Sequence, residues 1–355
     1  MVDEGGSVPQ MRARSNCMTS GALRPTEFIT GALLRITKLW MDSETCGWRD
    51  VLNHSCLFRR IDNCTVFWHY VLLGSHTITV WVKLSVDKSR FSVGAWGVMV
   101  LFVSEFHPDS CVVAEVRASP NHGDRKGVVK PNMLVLHYTG MVNGEAALQY
   151  LCSPISEVSA HYVVMEDGYI VQCVPESRRA WHAGQSCWEG ETDVNSCSVG
   201  IEIVNPGHDN GYPDFPKRQI AAVTALCRGI LTRYRIPPER ILAHSDIAPS
   251  RKRDPGEKFP WACLHRSGLG LWVKPHPIVA DGPFYVLGET NPAIKEFQDM
   301  LSRYGYAVTP TGYLDGNTRD AIAAFQRHFR QEKADGVLDI STVETMRTLL
   351  AQRFA

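Results

Sequence analysis

The pattern of hydrophobic and polar positions becomes regular only after about residue 105 of this 355-residue chain. Beyond that point, short apolar runs between turn residues predict buried β-strands in four segments: 133–139, 161–174, 198–205 and the start of 241–256. The second segment contains the turn Glu166-Asp167-Gly168 and therefore predicts a hairpin. The fourth segment passes from its strand into a polar loop.

A helix is predicted over 217–234, between the third and fourth of these segments. Its apolar side chains recur at helical spacing and share one face: Ile220, Val223, Leu226, Cys227 and Ile230. Because strands and helices alternate along 109–275, we predict an α/β fold with a central mixed β-sheet flanked by helices. This range is called the α/β segment below.

Three amphipathic helices are predicted in 285–355, the helical segment, after a Pro- and Gly-containing linker at 276–284. Their apolar faces carry Ile294, Phe297 and Leu301, then Ile322, Phe325 and Phe329, then Val343, Met346 and Leu350. The second and third helices each follow a G-x-L-D-x-x-T sequence, at 312–318 and 336–342. Asp or Thr can cap the helix and Gly permits the tight turn, so we predict a small all-α domain.

Residues 1–108 carry no chemical motif and no secretory signal. We interpret 65–82 and 91–103 as buried or β-rich segments, because 91–103 is too short to cross a bilayer as a helix. A membrane anchor is the alternative. The change of pattern near residue 105 suggests a hypothesis. According to this hypothesis, much of this region is not native coding sequence, and the true start lies near Met99 or a nearby Val.

Composition and charge exclude several classes of protein. Apolar residues make up 44% and charged residues 21%, which is typical of a folded soluble protein. The 37 basic residues balance the 37 acidic ones without a basic arm, so nucleic-acid binding is not expected. Eleven cysteines without a CxxC pair argue against zinc ribbons and thioredoxin-like motifs. Free thiols in a reducing compartment are the simplest interpretation, with one or two disulfides as the alternative.

Five polar residues of the α/β segment are candidates for chemistry. His137 and His244 follow apolar runs, and Asp254 lies in a loop bounded by Pro and Gly. Two imidazoles and a carboxylate suit Zn²⁺ with a fourth position for water, although ordinary polar residues at strand ends are the alternative. Glu202 interrupts the apolar run VGIEIV, where a carboxylate costs free energy unless it is paired, functional or turned to solvent. Lys252 could stabilise developing negative charge.

The motifs LVLHYTG, SAHYVV, RRAWHAG, SVGIEIVN and LAHSDIAPSRKRDPGEKFPW resemble the type 2 zinc-dependent N-acetylmuramoyl-L-alanine amidases, relatives of phage T7 lysozyme and of peptidoglycan recognition proteins. The resemblance covers roughly 109–275 and implies a zinc site with a general base and a transition-state stabiliser. The implied metal ligands are His137, His244 and Asp254, with Glu202 as base and Lys252 as stabiliser. It also implies four substrate contacts: Tyr138, Trp181, His182 and Asn205.

The implied reaction is hydrolysis of the amide bond between the lactyl group of N-acetylmuramic acid and L-Ala of the peptidoglycan stem peptide, in wall degradation or turnover. A cytoplasmic amidase that recycles anhydro-muropeptides is the enzymatic alternative. A non-hydrolytic peptidoglycan sensor is the other, and the complete set of five residues argues against it.

Residues 285–350 resemble the three-helix peptidoglycan-binding domain found beside many wall hydrolases, through EFQDML, TGYLDGNT and AFQRHF. The resemblance implies a bacterial protein whose partner is peptidoglycan or muropeptides; a helical interaction domain for another partner is the alternative. A wall-binding domain favours the cell envelope, whereas the lack of a visible signal favours the cytoplasm. The sequence predicts neither an oligomeric state nor a definite membrane span.

Overall fold

The computed structural model describes residues 57–61, 64–72, 77–86, 95–102 and 106–355. The chain divides into two compact units, Met1–Leu101 and Phe102–Ala355. The strands before residue 103 form one sheet in the order of the chain: β1 (Leu57–Ile61), β2 (Cys64–Leu72), β3 (Thr77–Val86) and β4 (Ala95–Phe102). The segments interpreted as buried or β-rich thus contain strands, and the hypothesis of a later start stays a prediction. In the described ranges, no helix is long and apolar enough to span a bilayer.

The central sheet of the second unit has six strands in the order β12-β7-β11-β8-β9-β5. Their bounds are β5 (Glu115–Val116), β7 (Met133–Tyr138), β8 (Tyr162–Val164), β9 (Ile170–Gln172), β11 (Ser198–Ile203) and β12 (Ile241–Ala243). Strands β8 and β9 are antiparallel and form the predicted hairpin, whereas the other neighbours are parallel. The predicted mixed sheet is therefore confirmed. A separate antiparallel pair is formed by β6 (His122–Asp124) and β10 (Arg178–Ala180).

Five helices flank this sheet: α1 (Gly144–Leu151), α2 (Val194–Cys197), α3 (Lys217–Arg233), α4 (His244–Ile247) and α5 (Trp261–Arg266). The five apolar residues predicted to share one face of α3 are all buried, and they belong to one apolar cluster with Leu134, Leu136 and Ile201 of the sheet. Successive strand residues point to opposite sheet faces, so Met133 and Val135 belong to a different cluster.

A helical turn, α4, stands where the sequence predicts the start of a polar loop after β12. The Asp246 side chain explains the difference, because its Oδ2 accepts a hydrogen bond from the backbone N–H of Ala243 at 2.8 Å. This contact satisfies a donor at the helix start that would otherwise be unpaired.

The helical segment contains the three predicted helices, α6 (Pro292–Tyr304), α7 (Gly316–Phe329) and α8 (Ile340–Arg353), and the strand pair β13 (Phe284–Tyr285) and β14 (Leu338–Asp339). Their predicted apolar faces are buried, apart from the partly buried Val343. The Asp of each repeat caps the helix that follows it. Asp315 before α7 accepts from the N–H of Thr318 at 2.7 Å, and Asp339 before α8 accepts from that of Thr342 at 2.8 Å.

Two buried glutamines extend the internal repeat beyond the sequence motif. The Gln298 side chain accepts from the Gly312 N–H and donates to Thr318 Oγ1. Gln326 binds Gly336 and Thr342 in the same way. Each glutamine therefore ties one helix to the capped turn that follows it, which supplies hydrogen-bond partners to backbone groups that the turn leaves unpaired.

The α/β segment and the helical segment share one apolar core within the unit Phe102–Ala355. Trp188 is fully buried and packs edge-on against Tyr304 and Tyr306, with ring centroids 5.7 and 5.0 Å apart. Gly305 permits this approach, because a Cβ there would lie 2.6 Å from the indole. The boundaries at 275 and 285 stay predictions, while the packing joins both segments into one body.

Trp188→Ala should destabilise the protein by about 3–5 kcal/mol, since it removes a fully buried aromatic ring from the core that joins the segments. Urea denaturation followed by near-ultraviolet circular dichroism measures the change. Tyr150→Ala is the control: that side chain is 51% exposed on α1, and its loss should cost less than about 0.5 kcal/mol. Equal losses in the two variants would contradict a shared core.

Candidate metal centre

Three neighbouring parallel strands bring the candidate residues to one edge of the sheet. In the register of β11 and β7, Glu202 lies opposite His137. In the register of β12 and β7, Ala243 lies opposite Leu136, so the next residue, His244, reaches the level of His137. In α/β proteins, binding and active sites lie at the carboxyl ends of the parallel strands. Residues more than 100 positions apart in the chain thus become neighbours.

The side chains of His137, His244 and Asp254 converge on one point. The two Nδ1 atoms are 2.8 Å apart, and Asp254 Oδ2 lies 3.2 Å from that of His137 and 3.0 Å from that of His244. All three residues are buried, and each offers one atom that could hold a metal ion. A backbone hydrogen bond from the Ser245 N–H to the Asp254 carbonyl holds the loop of Asp254 against α4.

Hydrogen bonds fix which imidazole nitrogen faces that point. His244 Nε2 lies 3.0 Å from the Ala183 carbonyl oxygen, which can only accept, so this nitrogen carries the proton. Ser198 donates to the Val194 carbonyl and accepts from His182 Nε2, so His182 Nδ1 accepts from His137 Nε2 at 3.1 Å. Both imidazoles therefore turn Nδ1 toward Asp254.

This arrangement fits a divalent cation. Burial and the neighbouring His244 lower the pKa of His137 to about 4, which keeps its imidazole neutral. Burial alone would raise the pKa of Asp254, but the two imidazoles hold it well below its usual range, so the carboxylate is ionised. Two imidazole nitrogens and one carboxylate oxygen that face one another at about hydrogen-bond distance form a donor set suited to zinc.

Glu202 lies beside this centre with one carboxylate oxygen, Oε2, buried and without a hydrogen-bond partner. Burial and the Asp254 carboxylate raise the pKa of Glu202 well above its usual range, and the Lys252 ammonium partly offsets this shift. The alternative of a solvent-facing strand does not hold, because Gly200 and Val204, two residues before and after Glu202, are buried. A carboxylate with an unpaired oxygen beside a candidate metal centre is a group available for proton transfer.

Comparison with known proteins places this site in a family. Residues 127–257 match the N-acetylmuramoyl-L-alanine amidase family model, and residues 290–346 match a peptidoglycan binding domain. The chain is 38% identical over 233 residues to N-acetylmuramoyl-L-alanine amidase AmiD of Escherichia coli K12, covering 61% of this chain and 82% of that protein. The chain belongs to the N-acetylmuramoyl-L-alanine amidase family. The predicted resemblance and enzyme class are thereby confirmed.

A further relative and two solved structures also resemble this amidase. The 1,6-anhydro-N-acetylmuramyl-L-alanine amidase AmpD of Citrobacter freundii is 36% identical, over 42% of this chain and 88% of the relative. The solved complex of E. coli AmiD with anhydro-N-acetylmuramic acid-L-Ala-D-gamma-Glu-L-Lys has a TM-score of 0.54 and 33% identity, and covers 65% of this chain and 98% of that one. AmpDh3 of Pseudomonas aeruginosa has a TM-score of 0.53 and 31% identity, with 67% and 96% covered.

Two of the predicted substrate contacts are accessible in the amidase. Trp181 is partly exposed, and so is Tyr138, next to His137. The Tyr138 hydroxyl lies 3.0 Å from His208 Nδ1, and His208 Nε2 lies 3.1 Å from Glu257. His208 and Glu257 were not predicted; they lie 70 and 119 residues after Tyr138, so nothing in the local pattern of the sequence marks them.

The other two predicted contacts are buried and bonded within the amidase. The Asn205 side chain donates to the Pro213 carbonyl and accepts from the Gly207 N–H, so both ends of its amide shape the loop after β11. His182 holds His137, and Gly200 admits its ring, since a Cβ on Gly200 would lie 2.4 Å from the imidazole. The seven cysteines whose side chains are described are free thiols, and none belongs to the candidate metal centre.

In metal-free protein, Glu202→Gln should increase stability at pH 8 by about 1 kcal/mol or more, because the native state no longer holds a charged group whose Oε2 is buried without a partner. Since folding raises the pKa of Glu202, the wild type loses stability as pH rises from the usual glutamate range through the raised pKa. The advantage of the variant should therefore be smaller at pH 5 than at pH 8. Thermal unfolding of both proteins after chelation measures it, and a variant no more stable at pH 8 would contradict this account.

Proposed function

We propose that this amidase hydrolyses the amide bond between the lactyl group of N-acetylmuramic acid and L-Ala of the peptidoglycan stem peptide. The observation that carries the proposal is the convergence of His137, His244, Asp254 and Glu202 at one sheet edge. The solved AmiD complex supports it, because the substrate named there contains a muramic acid joined to L-Ala.

The proposed metal ligands are Nδ1 of His137, Nδ1 of His244 and Oδ2 of Asp254, and the proposed metal is Zn²⁺. When bound, zinc supplies a Lewis acid for the amide carbonyl and makes water more acidic. The ligand geometry is prepared by the protein itself: His182 orients His137, and the Ala183 carbonyl orients His244. Such outer partners fix the ring orientation and the tautomer of a metal-bound histidine.

Glu202 is the proposed general base. Its raised pKa suits this role, because it accepts the proton of the attacking water more readily than an ordinary glutamate does. The same carboxyl group then gives the proton to the leaving amine of L-Ala. Lys252 carries the positive charge that we assign to stabilising the carbonyl oxygen as it becomes negative.

Tyr138 and Trp181 are the proposed substrate contacts, since both are partly exposed near the ligands. Burial and the Asp254 carboxylate raise the pKa of Tyr138, so its hydroxyl stays protonated and keeps its hydrogen bond to His208. A hydroxyl held in this way offers the substrate a fixed polar contact beside the metal centre.

The peptidoglycan binding domain at 290–346 supports intact wall as the polymeric substrate and the cell envelope as the place of action. The likeness to the AmpD amidases favours soluble anhydro-muropeptides as a second substrate class. Both contain the proposed scissile bond. We therefore assign the same chemistry to both and leave the preference between them to the experiment.

Glu202→Ala should lower kcat by about 10²- to 10⁴-fold while zinc stays bound, since it removes the proton acceptor and none of the metal ligands. Wild type and variant are incubated with intact sacculi and, separately, with soluble anhydro-muropeptides. Mass spectrometry of the products identifies the cleaved bond, and elemental analysis measures the zinc.

Glu157→Gln serves as the control, because that carboxylate is exposed on the loop between α1 and β8. Near-normal turnover by Glu202→Ala would contradict the proposed base. Cleavage of soluble fragments alone would favour the recycling enzyme, and binding of sacculi without any cleaved product would favour a sensor.

A further inference from the structure

Asp246 lies behind the metal centre, where the helical segment meets α4. It is fully buried, and both of its carboxylate oxygens are used. Oδ2 accepts from the Ala243 N–H at 2.8 Å and from His328 Nδ1 at 2.7 Å, while Oδ1 accepts from the Tyr306 hydroxyl at 2.7 Å. Two of its three donors thus come from the helical segment, 60 and 82 residues further along the chain.

The same carboxylate controls the backbone that carries His244. Helix α4 has only four residues and begins at His244, so its geometry depends on the hydrogen bond that the Ala243 N–H donates to Asp246. A carboxylate that accepts at both oxygens has its rotamer fixed, which fixes this first turn in its place. The position of His244 Nδ1 relative to His137 and Asp254 follows from that turn.

The two donors cannot turn away from Asp246. His328 is 1% exposed and lies between two rings, stacked at 3.7 Å on Trp261 and at 3.9 Å on Phe329. Tyr306 is 2% exposed and packs against Trp188. Because water has no access to these groups, loss of either donor would leave part of a buried carboxylate unpaired.

We propose that Tyr306 and His328 are positioning residues for the metal centre, which hold His244 in place through Asp246. The helical segment then has a second role besides wall binding: it completes the outer support of a metal ligand. This inference rests on the proposed zinc site of His137, His244 and Asp254. It predicts that removal of a donor weakens zinc binding even though neither donor touches the metal.

The test measures the dissociation constant of zinc by competition with a chromogenic chelator, using the full chain. Tyr306→Phe and His328→Ala should each raise this constant by about 10-fold, at the low end of the range for partners of metal ligands. His328→Asn should restore it to within about threefold, because an amide N–H can occupy the position of the Nδ1–H. Thermal unfolding and circular dichroism verify that each variant is folded.

Glu189→Gln is the matched control, since it removes the charge that pairs with Arg353, another polar contact between the two segments, and with Arg240, without touching Asp246. It should leave zinc binding unchanged. Equal weakening by Glu189→Gln would overturn the proposal, because the effect would then belong to segment docking in general. Unchanged zinc binding in Tyr306→Phe would also overturn it, and this variant decides alone should His328→Ala not fold. A wild type that binds no zinc would instead refute the proposed metal site itself.

Discussion

Strands β12, β7 and β11 lie side by side, run in the same direction and end at the same edge of the sheet. Their register sets His244, His137 and Glu202 at one level. A slip of one residue in either pairing would turn the slipped strand's side chains to the opposite face. The hydrophobic alternation that packs Leu134 and Leu136 against α3 therefore also determines which residues can meet at the metal centre.

The face opposite α3 has two tasks. Near the carboxyl ends of its strands it carries the candidate metal centre, and elsewhere Met133 and Val135 join the core shared with the helical segment. The two segments are thus connected by apolar packing at Trp188 and by the buried carboxylate of Asp246. The segment that matches a peptidoglycan binding domain donates two hydrogen bonds to Asp246 of α4, which is why we assign it a part in holding His244.

Local patterns predicted the parts of the fold that depend on neighbours in the chain. The buried face of α3, the β8–β9 hairpin and the Asp caps of α7 and α8 all depend on residues a few positions apart, and the structure confirms them. Contacts between distant residues have no local signal, and only the set of His137, His244 and Asp254 was expected, because the family resemblance implies it. His182 was predicted to face substrate, yet it lies against His137, 45 residues away. Asp246 caps the start of its own helix, α4, and its carboxylate also accepts hydrogen bonds from donors 60 and 82 residues away in the chain. The hydrophobic periodicity of the sequence carries no information about such partners.

The central claim is that two imidazoles and one carboxylate hold a single zinc ion. X-ray absorption at the zinc edge of the loaded protein tests it most directly, because it reports the ligand atoms without reference to activity. The account predicts one zinc per chain with only nitrogen and oxygen ligands at about 2.0–2.2 Å, including two imidazoles. A sulfur ligand at about 2.3 Å would contradict it, since a cysteine would then hold the zinc in place of one of these three residues.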